Sequence, residues 1–300
     1  MARYLIINAD DFGAFQCGNA AVMDLLTDSA SALTSSTVMA PAPWAPQACR
    51  FAAKNPQLAI GVHLTLTCEW NALRWGPVND RDTASLRDEE GYFFHHTADV
   101  ERHAILDEVK GEIRAQIDRC LRLGLKPSHM DNHMGSLYGI ATGRWELLAA
   151  TLETLAPYRL GFRLPSSIAD IAFGNSMLGI GTEAEATRAA AAQMVAFANA
   201  SHIALPDHLL PGEWGGPQDD SYENYRDYLY ALYETLPEGI TESYLHPALE
   251  ADELKEACPV WERRVWEYRI MKDPKTRQHI EAQGIRLINY RDLSRMRFGG

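Results

Sequence analysis

The order of strand-like and helix-like segments predicts an α/β fold: one (β/α) barrel over residues 1–300, nearly closed and not required to be regular. Three observations predict it. Short apolar runs alternate with helical patterns along the whole chain, which implies parallel βαβ units. Seven or eight such units in one domain favour a barrel over its rival, the doubly wound open sheet. Several of the strand-like runs also end in Asp or His, as strands feeding a functional rim do. No internal repeat, low-complexity tract or linker divides the chain.

Residues 4–8 form an apolar run that stops at carboxylates, as a buried parallel strand does. A helical pattern covers 19–26, and 33–39 is a second strand rich in Thr, Ser and Val. Pro41, Pro43 and Pro46 break the chain before a helix at 47–54. Residues 58–66 are a third strand with Ile60, Val62, Leu64 and Leu66 in alternation. Residues 69–97 have no clear period and hold Gly, Pro, Trp and many charges, which reads as an inserted functional loop or lid. An amphipathic helix at 100–123 ends at Gly124, with Pro127 beyond. Strands follow at 126–131, 159–164, 202–205, 240–245 and 286–289. Helices at 144–155, 183–200, 222–236, 260–271 and 274–283 separate them.

Composition narrows the function. Hydrophobic residues make up 46% and charged residues 23% of the chain, which is globular and excludes disorder. Acidic residues number 40 against 28 basic, a net charge of −12, so nucleic acid is not an expected partner. Five cysteines without a C-x-x-C give neither a disulfide framework nor a zinc ribbon, and a cytoplasmic location is expected. The N-terminal apolar run is cut short by two carboxylates, so no signal peptide or anchor is expected, and no stretch is long enough to span a bilayer.

The chemistry collects where strands are expected to end. Asn8-Ala9-Asp10-Asp11-Phe12-Gly13 places two acids directly after an apolar strand. A helix N-cap would need only one of them, so the pair favours function. His63, in Gly61-Val62-His63-Leu64-Thr65, is by itself more typical of a satisfied core histidine than of a ligand, and alone it assigns nothing. In His129-Met130-Asp131-Asn132-His133 an extended backbone turns His129, Asp131 and His133 to one side. His246 closes a strand before Pro247, and Arg163 does so before Leu164-Pro165, although a surface arginine is an alternative there. In a parallel barrel all strand C-termini share one rim, so Asp10, Asp11, His63, His129, His133, Arg163 and His246 should converge. Two histidines and a carboxylate make a three-ligand metal site, with an acid and a histidine left for proton transfer. Metal-assisted hydrolysis follows. Gly179-Ile180-Gly181 lacks the rest of a dinucleotide fingerprint, and neither a P-loop nor a G-x-S-x-G elbow occurs.

The same segments, with Arg163-Leu164-Pro165, Leu245-His246-Pro247 and Gly284-Ile285-Arg286-Leu287-Ile288, resemble the YdjC-like carbohydrate deacetylases. That family includes chitooligosaccharide deacetylase and the hopanoid-biosynthesis deacetylases. The resemblance implies a barrel of the glycoside hydrolase/deacetylase type that removes acetyl groups from N-acetylated sugars with one divalent metal ion, Mg or Zn. By motif position it implies Asp11, His63 and His129 as metal ligands, Asp10 as general base, His246 as general acid, and Arg163 as the group orienting Asp10. Asp131, His133, Trp70 and Trp75 are the expected substrate contacts, although the tryptophans serve equally well to pack the loop. The family often carries a further histidine two residues after His133, where this chain has Gly135. Two rivals remain: a glycoside hydrolase using Asp10 and Asp131 without metal, and a sugar-binding protein without turnover. A homo-oligomer is compatible with each.

Overall fold

The computed structural model describes residues 2–167, 185–210 and 212–299. Eight strands build one sheet: β1 (Arg3–Phe12), β2 (Ser35–Val38), β3 (Ala59–Leu64), β4 (His129–Asn132), β5 (Gly161–Phe162), β6 (His208–Leu210), β7 (Gly239–Leu245) and β8 (Ile285–Leu287). Their order is β5-β4-β3-β2-β1-β7-β6, with β8 paired to β1, and every pairing is parallel. Arg3–Leu5 pair with β8 and Asn8–Phe12 with β2, so these two strands share one edge of β1, while β7 takes the other.

The sheet curls until its ends meet. Among the described residues no ladder joins β5 to β6. The seam is bridged by single bonds instead: Phe162 N–H to the Ala204 carbonyl (3.0 Å), Ser166 N–H to Pro206 (2.8 Å) and Asp207 N–H to Ile240 (2.8 Å). The strand expected at 202–205 is therefore an extended seam segment, and β6 forms later, at His208–Leu210. Pro206 has no N–H to donate, so a regular ladder cannot run through this stretch.

Helices clothe the outside: α1 (Gln16–Thr27), α2 (Ala45–Lys54), α3 (Thr97–His103), α4 (Leu106–Arg122), α5 (Glu146–Leu155), α6 (Glu185–Ala200), α7 (Tyr222–Glu234), α8 (Asp252–Ala257), α9 (Trp261–Lys272), α10 (Pro274–Ala282) and α11 (Tyr290–Phe298). The expected helix 100–123 is two, because Ala104 is extended and the Ile105 N–H is taken by the Ser85 hydroxyl at 2.8 Å. Two short helices, α8 and α11, were not expected. The latter starts with a capping box between Asn289 and Asp292. The start of the Ala-rich helix and Gly179-Ile180-Gly181 lie outside the described residues.

On α4, Val109, Ile113, Ile117 and Cys120 recur at three- and four-residue spacing and face the barrel. Glu112 on the same face accepts the Val78 and Asn79 N–H groups, each at 2.9 Å, and Glu108 accepts Ser85 N–H at 2.8 Å. The insertion at 69–97 is thus bolted to α4. All five cysteines are buried and unpaired. No helix among the described residues is long and apolar enough to cross a membrane.

Candidate active site

Strand β1 delivers two carboxylates to one place by breaking its own regularity. In an even strand Asp10 and Asp11 would face opposite sides. Here Asp11 takes a left-handed backbone (φ 59°) and the pairing register with β2 shifts between Ala9 and Phe12. Aspartate is among the few residues that visit this region at modest cost. Gly13, at φ 107°, completes the turn and donates its N–H to Asn19 Oδ1 at 2.7 Å. As a result both acids border a cavity of about 370 Å³ at the C-terminal end of the strands.

Three atoms meet there. His63 Nε2 lies 3.5 Å and His133 Nδ1 3.2 Å from Asp11 Oδ1. Asp11 Oδ1 is buried and has no hydrogen-bond partner. The far nitrogen of each histidine is held by another acid: His63 Nδ1 by Asp131 at 2.7 Å, and His133 Nε2 by Glu69 at 2.9 Å. A carboxylate behind an imidazole places the proton on the far nitrogen and leaves the near one free to ligate. Burial disfavours charge on His63, yet Asp131 and Asp10 more than offset it and raise its pKa to about 9. Glu69 and Asp11 likewise overcome burial and hold His133 well above the ordinary histidine range. Asp11 is itself held well below the carboxylate range, with Arg264 and His133 overcoming burial. A group that gathers protons onto two buried histidines is one whose acids call for positive charge, and a divalent cation supplies it. The donor set, an orphaned carboxylate oxygen and two oriented imidazole nitrogens, fits such an ion.

His129, expected as the third ligand, is not in this group. It shares a strand face with Asp131, but each residue along a strand climbs about 3.3 Å, so four residues separate it from His133 by roughly 13 Å of depth. Its ring lies in the barrel interior, stacked on Tyr290 with centroids 3.7 Å apart, bonded to Asn8 Oδ1 at 3.2 Å and Ser128 Oγ at 2.9 Å. Burial drives its pKa down to about 3, so it sits there neutral. His133, expected at the substrate, stands in the convergent group with Asp11 and His63 instead. The strand ends at Asn132, and a tight turn with Met134 left-handed (φ 52°) lifts His133 onto the rim.

Arg163 organises the other half. Its two terminal nitrogens hold Asp10 in a fork at 2.7 and 2.6 Å, one also reaches Asp131 Oδ2 at 2.8 Å, and Nε donates to Glu242 at 2.9 Å. Asp10 Oδ2 remains 4.0 Å from His63 Nε2, beside the convergent atoms. Asp131, expected to touch substrate, is fully buried and receives Thr37 Oγ1 at 2.8 Å besides His63 and Arg163. It does not border the cavity, so it cannot pair with Asp10 across a glycosidic bond. Trp70 does border the cavity, whereas Trp75 packs edge-on against it and donates Nε1–H to the Thr67 carbonyl at 2.8 Å. Of the two, Trp75 serves the packing of the loop.

His246 faces the same cavity with its Nδ1 buried and unpartnered, while its backbone N–H is held by Glu267 at 2.6 Å. Burial lowers its pKa below the ordinary value, Asp11 opposing. Several contributors gave no local signal in the sequence: Glu242 within β7, Arg264 and Glu267 on α9, and Thr37 in β2. Arg264 donates to Asp11 Oδ2 at 2.8 Å, leaving only Oδ1 facing the histidines. Glu69 and Asn8 had a signal available, since each lies beside a segment already marked as polar.

A family model described as YdjC-like protein matches residues 4–282. A carbohydrate deacetylase of Thermoanaerobacter pseudethanolicus is 27% identical over 96% of this chain and 98% of its own. One from Thermus thermophilus is 29% identical over 92% and 89% respectively. Among solved structures, an Enterococcus faecalis protein described as a cellobiose-phosphate cleavage protein is 28% identical, covers 98% of this chain and 99% of its own, and superposes with a TM-score of 0.73.

Proposed function

The chain belongs to the YdjC-like protein family, and on that footing we propose that it is a metal-dependent hydrolase removing an acetyl group from an N-acetylated sugar. The observation that carries this reading is the convergence of Asp11 Oδ1, His63 Nε2 and His133 Nδ1 beside an arginine-clamped Asp10. The names of the deacetylase relatives support the substrate class.

Asp11, His63 and His133 would hold the ion, and a set of two imidazoles and one carboxylate suits zinc or a similar transition metal better than magnesium. A divalent cation there polarises an acyl carbonyl and acidifies water. Asp10, aimed by the Arg163 fork, accepts the proton of the attacking water. His246 gives a proton to the departing nitrogen, since an amine leaves poorly as an anion. Its lowered pKa makes it a strong donor but a scarce one near neutrality, so amide hydrolysis should already decline as pH rises toward the ordinary histidine value. The five unpaired, buried cysteines fit a reducing compartment, and the cytoplasm is the proposed location.

The test is acetate release from a panel of N-acetylated sugars by protein loaded with zinc or magnesium and by protein stripped with chelator. Metal-dependent acetate is the expected result. New reducing ends without acetate, unaffected by chelator, would replace this reading with glycoside hydrolysis.

A further inference from the structure

The cavity continues past the convergent atoms to a wall no step above uses. On one side, Trp214 borders it, with its ring centroid 5.7 Å from that of His246. The Arg263 guanidinium lies 3.6 Å over one face of the indole. Arg263 occupies one face only, and the indole stays part-exposed. Arg263 also ties down the loop carrying Trp214, donating to the Glu213 carbonyl at 2.5 Å and to Asp219 Oδ1 at 3.1 Å. It is anchored in turn on Glu267 at 3.3 Å, the same carboxylate that holds the His246 backbone. The aromatic plane and His246 thus share one post.

On another wall, next to His133, stands Asn132. It is 4% exposed and borders the cavity. Its Oδ1 accepts the Leu137 N–H at 3.2 Å, which fixes the amide orientation, and its Nδ2 is buried with no partner. A buried amide donor left unpaired is destabilising, and such groups are uncommon unless a ligand or water completes them.

We propose that Trp214 and Asn132 form the sugar subsite: a pyranose ring lays its C–H face on the indole while Asn132 Nδ2 donates to an oxygen of the substrate. The inference rests on the deacetylase reading for the class of ligand. A pyranose fits both walls, because it has an apolar face of axial C–H groups and a rim of oxygen acceptors. An indole backed by a cation is a rigid surface for the first, and a fixed amide donor suits the second. The subsite also differs from the expected one, which named Asp131, His133, Trp70 and Trp75.

The experiment titrates the zinc-loaded protein with N-acetylglucosamine and with N,N′-diacetylchitobiose, following tryptophan fluorescence and calorimetry. Zinc affinity, read in the same samples, reports whether the convergent atoms are intact. Trp214→Leu should weaken sugar binding about tenfold and reduce the sugar-dependent fluorescence change, Trp70 remaining as a second reporter on the cavity. Trp214→Phe should keep most of the affinity. Asn132→Asp retains the acceptor for Leu137 but loses the donor, and should weaken binding about tenfold. A role for Asn132 confined to holding the turn would leave this variant at wild-type affinity and overturn the proposal. So would unchanged affinity and fluorescence in Trp214→Leu, or no saturable binding of either sugar by the wild type. The two readings separate cleanly. Sugar binding that depends on Trp214 without acetate release keeps the subsite and removes the deacetylase. Acetate release with both variants at wild-type affinity does the reverse.

Discussion

Replacing Asp131 by asparagine should damage the proposed metal site without touching any of its proposed ligands. Asp131 Oδ2 receives the Thr37 hydroxyl at 2.8 Å, Arg163 Nη2 at 2.8 Å and Asn8 Nδ2 at 3.4 Å. All three are donors, so the oxygen of an introduced amide must stay there and its NH2 must turn to His63 Nδ1, now 2.7 Å from Oδ1. The imidazole then has to accept on Nδ1 and carry its proton on Nε2, the atom that faces Asp11. A histidine in that tautomer does not ligate. Losing the carboxylate behind a ligating histidine typically costs about 10–100-fold in metal affinity. Folding should suffer less, by about 1–3 kcal/mol, because Arg163 keeps Asp10 and Glu242 as partners. The assay is a competition titration with a chromophoric zinc chelator, alongside thermal unfolding. Glu69→Gln is the internal comparison, because Glu69 is less enclosed and its amide can turn its oxygen to His133. A smaller loss is expected there. Zinc affinity of Asp131→Asn within about twofold of wild type, in a folded protein, would refute the tautomer argument.

His133→Ala should lose metal binding, whereas His129→Ala should keep it and lose about 2–4 kcal/mol of stability from the vacated stack on Tyr290; metal analysis and unfolding of both variants separate the two. Asp10→Asn should retain metal yet lose about 10²–10⁴-fold in acetate release, and a near wild-type rate would remove Asp10 as the base. His246→Ala should lose amide hydrolysis severely but much less activity on an aryl acetate, whose phenolate departs without a proton; equal losses would indicate a positioning role. Burial, with Arg163 opposing, raises Glu242 from 4.5 to about 7. Its contribution is complete below about pH 4.5 and is lost as pH rises through 7, by an amount on the order of 3 kcal/mol. Glu242→Gln should therefore flatten the fall in stability across that window, and unfolding curves from about pH 4 to 8 will show whether it does.

The alternation of strands and helices was readable because most strands are short runs closed by polar or turn residues and most helices are two-faced, and both patterns repeat with fixed periods. Depth was not readable. Period-two alternation put His129, Asp131 and His133 on one side, yet only three-dimensional height distinguishes a buried stacking partner, a carboxylate behind His63 and a member of the convergent group. The conformation of Asp11 was equally hidden, since nothing in Asp10-Asp11 announces a left-handed residue that brings both acids round. Arg163 and His246 were legible because a proline two residues or one residue on marked the ends of their strands. Glu242, Arg264 and Glu267 were not, for they lie mid-strand or mid-helix and matter only through distant partners. The segment 202–205 reads as a strand because Ile203, Ala204 and Leu205 are apolar, while the ladder depends on N–H groups that Pro206 lacks.

Tyr290 stands at the first turn of the last helix, beyond the span matched by the family model. Its hydroxyl binds Glu242, which holds Arg163, which holds Asp10. The C-terminal helix thus works as the keystone of an arch whose far foot is Asp10, the proposed base, though no residue of that helix borders the cavity. Shortening the chain before Tyr290 would leave every ligand and proton-carrying group in the sequence while releasing the member that sets their spacing. A library screened for activity in truncated form would therefore score the active site as dead when only its masonry had been removed.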